Sequence, residues 1–250
     1  MTKAALLYER TTPVSAEVHG DWCLDSGVGY LFARNSHFFP ITTPEFEKAA
    51  WHYPIVFVSE GDTVVPCVIT SYVQGSNLFL RGDGTWDADY IPAFVRRYPF
   101  IFASMEGRDA LTLCMDDSFA GFNQEDRGER LFLLGGGRTG FLERTLTFLQ
   151  QYQAEQERSA QLARRIADLG LLEPVQAQVS LQSGEQLSLG GFSTVSRERL
   201  RVLDATKLSE LARDDWLELL YVHLFSLGNF ARLMDRHAAQ AGQTGEKTRA

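Results

Sequence analysis

The sequence predicts an α+β protein, with an antiparallel β-rich N-terminal part over residues 1–138 packed against a mainly helical part over 139–238 that carries a β-hairpin. A flexible tail is expected over 239–250. Three observations lead there. Ahead of Gly135, short runs of Val, Ile, Phe and Leu are separated by Gly, Pro, Asp and Asn, so most neighbours are joined by connections too short for a parallel crossover. After Gly140, apolar residues recur at the period at which one face of a helix meets a core. Apolar residues make up 44% of the chain and aromatics 12%, enough for a substantial core, so disorder is excluded and the parts are read as one integrated domain.

Strands are expected over 54–59, 63–72, 77–81, 99–105, 110–115 and 130–134. Gly61-Asp62 and Gly82-Asp83-Gly84 suit tight turns, because glycine reaches positive φ without strain. The segment DYIPAFVRRY, 89–98, reads as a short helix capped by Asp89, with Pro92 in the first turn where its missing N–H is tolerated. Over 141–169, Leu142, Leu146, Leu149, Tyr152, Leu162, Ile166 and Leu169 mark one face of a helix closed by Gly170. Val175, Ala177, Val179 and Leu181 then alternate with polar residues, and a Ser183-Gly184 turn returns the chain to Leu187 and Leu189. Short helices follow at 196–203 and 207–212. The last element, 214–237, is expected as a single long helix capped by Asp214 or Asp215, with Trp216, Leu217, Leu220, Leu224, Leu227, Ala231 and Met234 at helical spacing.

Composition narrows the function. A net charge of −8, spread along the chain, repels phosphate backbones, so nucleic acid is not an expected partner. Cys23, Cys67 and Cys114 are far apart and show no metal or disulfide spacing; in runs such as VVPCVI a thiol packs as a small hydrophobe. His19, His37, His52, His223 and His237 form no H-x-H, H-E-x-x-H or H-x-D pair, and Asp126 and Glu129 lack EF-hand spacing, so no metal is expected. Glu9 and Arg10 interrupt the first apolar patch too early for a signal peptide. The longest apolar stretch, 216–230, contains Glu218, His223 and Asn229 and is shorter than the ~20 residues of a membrane span. The expectation is a cytoplasmic protein without membrane insertion.

The segment NLFLRGDGTWDADYIPAFVRRYPF at 77–100, followed by the acidic CMDDSFAGFN and an RLF block at 130–132, resembles the SapC family. The LEPV, LGGF and HLFSLGNFARL segments fit as well, so the resemblance runs from about residue 37 to residue 236. It implies a bacterial protein associated with surface-layer protein export, or with the tryptophan-halogenase-like flavoproteins and cupin-type oxygenases beside which relatives are encoded. It brings no assigned catalytic residue.

Three local patterns carry chemical interest. GGGRTG, Gly135 to Gly140, matches G-x-G-x-x-G, follows a strand-like run and opens a helix. The second strand and acidic residue of a dinucleotide site are missing, and Phe141-Leu142 stands where a P-loop needs Lys and Ser/Thr, so the motif reads as a connector and no cofactor is expected. Trp86, Tyr90, Arg96, Arg97, Asp116 and Asp117 are the candidate ligand- or client-binding residues: guanidinium forks bind carboxylates and phosphates, and paired aspartates suit acid–base work. The plainer account makes the aspartates internal partners of the arginines and Trp86 a cover for the sheet. The final helix is apolar over much of its circumference, which marks either the centre of the core or an interface with another helix or a second copy of the chain.

With no catalytic constellation, the sequence reads as a non-catalytic accessory protein that recognises a protein or peptide client. The alternative is an enzyme, or enzyme subunit, acting on a peptide or a small acidic molecule at the Trp86–Asp117 set.

Overall fold

The computed structural model describes residues 7–61, 63–104, 111–180 and 186–247, so Asp62, Met105, Ala110 and the expected Ser183-Gly184 turn lie outside it. In chain order the strands are β1 (Thr11–Pro13), β2 (Cys23–Leu24), β3 (Phe38–Pro40), β4 (Ile55–Glu60), β5 (Thr63–Ile69), β6 (Phe100–Ala103), β7 (Thr112–Asp116), β8 (Phe122–Asn123), β9 (Glu129–Arg130), β10 (Leu172–Ser180) and β11 (Gln186–Val195). The helices are α1 (Ala16–His19), α2 (Phe46–Ala50), α3 (Ala93–Arg96), α4 (Gly140–Asp168), α5 (Arg197–Arg201), α6 (Ala205–Arg213), α7 (Trp216–Ser226) and α8 (Asn229–Lys247).

The class is α+β, with antiparallel pairing throughout. The largest sheet runs β10-β11-β4-β5-β3, and β1-β7-β6 and β8-β2-β9 form two smaller ones. The alternating run that starts at Val175 falls in β10, with Leu181 outside the described residues, so the hairpin expected in the helical part extends the sheet of the N-terminal part through Phe192↔Val58 and Ser193↔Phe57. Phe39 of β3, Phe57 of β4, Leu162 and Ile166 of α4, Leu220 of α7 and Leu233 of α8 meet in a single apolar cluster. Each such side chain, fully removed from water, contributes about 1.5–3 kcal/mol. All three cysteines are buried.

The long polar helix follows its sequence signals. Thr139 caps α4 by accepting from the Leu142 amide at 3.3 Å. At its end Gly170 takes φ +66°, and the Gly170 and Leu171 amides reach back to Ala167 O and Ile166 O at 2.9 and 3.0 Å. That left-handed closure is the reason for a glycine there.

Three expectations give way to tertiary contacts. Residues 77–81 are not a strand: the Asn77 side chain accepts from Phe79 N (3.0 Å) and donates to Ala33 O (3.2 Å), turning the backbone locally, and Leu80 forms only an isolated bridge to Trp86. The helix at 89–98 shrinks to the four residues of α3 with Pro92 at its cap, so Asp89 caps nothing. The expected single helix over 214–237 is two. Gly228, roughly 1 kcal/mol worse than Ala in a helix, sits at the break, and Asn229 Nδ2 donates to Ala50 O and Tyr53 O at 2.6 and 3.0 Å, tying the start of α8 to the end of α2. Asp215 stands ahead of α7 in a left-handed conformation, and its side chain makes no cap hydrogen bond.

Candidate functional site

The six residues singled out from the sequence do not converge. Arg96 is exposed on α3, where its Nε donates to Ile91 O at 3.0 Å and its guanidinium lies over Tyr90 and Phe148. Arg97 turns the other way and is 7% exposed, its guanidinium carbon 4.3 Å from the Phe94 ring centroid and 4.9 Å from that of Tyr152. Consecutive helical residues point about 100° apart, so the pair was bound to split; contact with α4 decides which one goes inside. Neither pairs with an aspartate. Asp117 meets Arg10 at 2.5 Å, an exposed pair. Asp116 is fully buried and accepts from Glu9 N (2.7 Å), Arg10 N (3.4 Å), Ser118 N (3.1 Å), Ser118 Oγ (2.6 Å) and Tyr98 Oη (3.3 Å). Burial pushes its pKa up, but the hydrogen bonds from Ser118 and the amides win and hold it below the ordinary carboxylate value. The expected arginine–aspartate pairing is therefore replaced by a carboxylate that anchors the N-terminal segment.

Trp86 and Tyr90 belong to a separate relay. Trp86 Nε1 donates to Tyr53 Oη (2.7 Å), Tyr53 Oη donates to Tyr90 O (2.5 Å), and Tyr90 Oη donates to Glu45 Oε1 (2.8 Å). Burial and the Glu45 carboxylate both raise the Tyr90 pKa, so its hydroxyl stays a donor. Glu45 is buried and also accepts from the Ala93 amide and from the Thr42 amide and hydroxyl, which fixes α3 on the chain ahead of α2.

The glycine-rich motif forms a hydrogen-bonded turn. Gly136 N reaches Leu133 O and Leu133 N reaches Gly137 O, with Gly135 and Gly136 at φ +102° and +87°. A Cβ at Gly135 would meet nothing, so this glycine serves backbone conformation and not close approach of a ligand. Among the described residues no three His, Cys, Asp or Glu side chains converge as metal ligands, and no helix is long and apolar enough to cross a membrane.

Two concave features remain. The first is a groove of about 490 Å³ between α2 and the α7–α8 corner, lined by Trp51, Val222, Phe225 and Arg232 among others. Trp51 is 71% exposed and Phe225 77%. Meanwhile α7 turns two polar residues, His223 and Ser226, inward and leaves Glu218 exposed. His223 Nε2 accepts from Val195 N at 3.0 Å, and Ser226 Oγ accepts from Ile55 N at 2.9 Å, satisfying amides where β4 and β11 splay beyond their short pairing. Burial pushes the His223 pKa down to about 4, so the imidazole is neutral with Nε2 as acceptor. The helix was legible as apolar over much of its circumference, but Trp51 was missed. The signal available was His223 and Ser226, three apart on a mainly apolar helix, a polar pair that has to meet backbone.

The second is a cavity of about 280 Å³ between α3, β6 and α4, in which Arg97, Ile101, Phe102, Leu149, Tyr152 and Gln156 are wall residues. The Nε of Arg97 and the hydroxyl of Tyr152 are buried there without hydrogen-bond partners. Burial pushes the Tyr8 hydroxyl beside Arg97 up to about 12, opposed by the arginine's charge and hydrogen bonding. Tyr152 was read from the sequence as a core residue of the long helix; nothing in the spacing links it to Arg97.

A family model described as SapC matches residues 14–233, a span that includes both concave features. No curated protein and no solved structure matches the chain.

Proposed function

Because the chain belongs to the SapC family, we propose that it is a non-catalytic cytoplasmic accessory protein that recognises a protein or peptide client in surface-protein export or peptide tailoring. The observation that carries this reading is the outer face of α7: Phe225 stands 77% exposed across a groove from Trp51, while His223 and Ser226 are buried. Leaving two large aromatics in water forgoes about 1.5–3 kcal/mol of burial each, which a client's apolar side chain would recover. Arg232 donates to Trp51 O at 3.0 Å and so braces the groove wall, reducing the ordering cost of binding.

The enzyme reading draws only on Arg97, because no carboxylate, histidine, serine or cysteine lines its cavity among the described residues. The client reading is tested by affinity capture from the native host with wild type and with the double variant Trp51→Ala, Phe225→Asp. Both positions are exposed, so each change is expected to alter stability by about 0.5 kcal/mol or less. A stoichiometric client retained by wild type should bind the double variant at least ~30-fold more weakly, as for paired hot spots. Equal retention by both proteins, or recovery of chaperones alone at physiological salt, would overturn the reading. So would a wild-type homodimer that the variant converts to monomer, since the groove would then be covered by a second copy.

A further inference from the structure

An arginine is charged at every accessible pH, and removing it from water costs several kcal/mol unless a counter-ion meets it. Arg97 is 7% exposed, its Nε has no hydrogen-bond partner, and no carboxylate of the described residues lies within ion-pair distance. The rings of Phe94, Tyr152 and Tyr8 lie 4.3, 4.9 and 5.7 Å from its guanidinium carbon. Cation–π contacts of roughly 0.5–2 kcal/mol each offset part of the desolvation but neutralise no charge. The buried carboxylate of Glu45 is committed to Thr42, Tyr90 and the Ala93 amide. Asp116 is likewise committed to Glu9, Arg10, Ser118 and Tyr98.

The second observation is independent of the first. Tyr152, 5% exposed, holds a buried hydroxyl without a partner, and it stands beside Arg97 on the wall of the same cavity. A buried hydroxyl left unpaired costs about 1–3 kcal/mol. Arg97 and Tyr152 both line this space, and its remaining walls include Ile101, Phe102 and Leu149. The volume of about 280 Å³ lies near the lower end of the roughly 300–1,000 Å³ usual for small-molecule pockets.

We propose that this cavity binds a small monocarboxylate with an apolar body, its carboxylate on the Arg97 guanidinium and its body against Ile101, Phe102 and Leu149. A single guanidinium balances one negative charge. A phosphate dianion would leave a second charge against apolar walls, with no further cation among the described lining residues to meet it. The site is separate from the Trp51–Phe225 groove and does not rest on the client reading.

The test is calorimetric titration of the full chain with propionate, hexanoate, octanoate and phenylacetate, with the matched alcohols and inorganic phosphate as controls. At least one carboxylate is expected to bind with a Kd of about 1 mM or tighter and its alcohol at least tenfold more weakly. Arg97→Gln should weaken that carboxylate about 10- to 100-fold. Should Arg97→Gln fail to fold, Leu111→Trp supplies the decision: Leu111 is 42% exposed on the cavity rim, and the larger ring should close the mouth and abolish binding. The proposal is overturned if no carboxylate binds, if the alcohols or phosphate bind as well, or if Leu111→Trp leaves the affinity unchanged. Trp51→Ala, Phe225→Asp should leave carboxylate binding intact, which separates this result from the fate of the client groove.

Discussion

Asp116→Ala is expected to destabilise the fold by about 3–5 kcal/mol, the largest single-residue effect we foresee outside the apolar core. The carboxylate is fully buried and serves two backbone amides of the N-terminal segment, one amide and one hydroxyl of Ser118, and the Tyr98 hydroxyl. Removing it strands several part-buried donors at once. Asp117→Ala is the matched control: its ion pair with Arg10 is exposed, so the cost should stay below about 1 kcal/mol. Denaturant unfolding at pH 7 followed by circular dichroism measures both. At that pH the Asp116 contribution is fully present, because a carboxylate with a depressed folded pKa stabilises above its unfolded value and loses that stability as pH falls through the folded one. A loss below 1 kcal/mol for Asp116→Ala would show that other contacts hold the N-terminal segment.

Acidification from pH 7 should cost the protein about 3 kcal/mol by the time it nears pH 4, through His223. The imidazole has a folded pKa near 4 against an ordinary value of 6.5. As pH falls below 6.5 the unfolded chain takes up the proton first, so stability is full above 6.5 and declines steadily towards 4. Protonation in the fold would also destroy the acceptor that Val195 N requires, detaching α7 from β11. His19, His37 and His52 are shifted down by burial as well and add in the same direction. His223→Gln keeps an amide oxygen for Val195 N while removing the titration, so its stability curve over this range should be flatter than that of wild type. Indistinguishable slopes for the two proteins would remove His223 as the cause.

Both effects rest on polar residues inside the fold, and these were the least legible part of the sequence. Asp116 follows an apolar run, as many surface aspartates do, and the amides that surround it come from residues 9 and 10, more than a hundred positions away. His223 is a buried, hydrogen-bonded residue whose partner on β11 could not be named before the sheet was closed. The strand expected at 77–81 failed because Asn77 bonds its own neighbourhood, a local competition that residue type hints at and tertiary contact with Ala33 decides.

The α+β class, the 29-residue α4 with its Gly170 end, and the β4–β5 and β10–β11 hairpins were set by the sequence alone. Helical and strand periodicity, caps and turn glycines act over a few residues, so their information is local and survives without the fold. Tertiary structure alone decided that Arg97 and not Arg96 faces inward, that the last helix breaks at Gly228, and that Phe225 stays in water while Ser226 is buried. Each of those depends on which neighbour supplies the missing partner: the Tyr152 ring against Arg97, the carbonyls of Ala50 and Tyr53 for Asn229, the Ile55 amide for Ser226. Those partners lie far off in the chain, and only packing brings them within hydrogen-bonding or van der Waals reach.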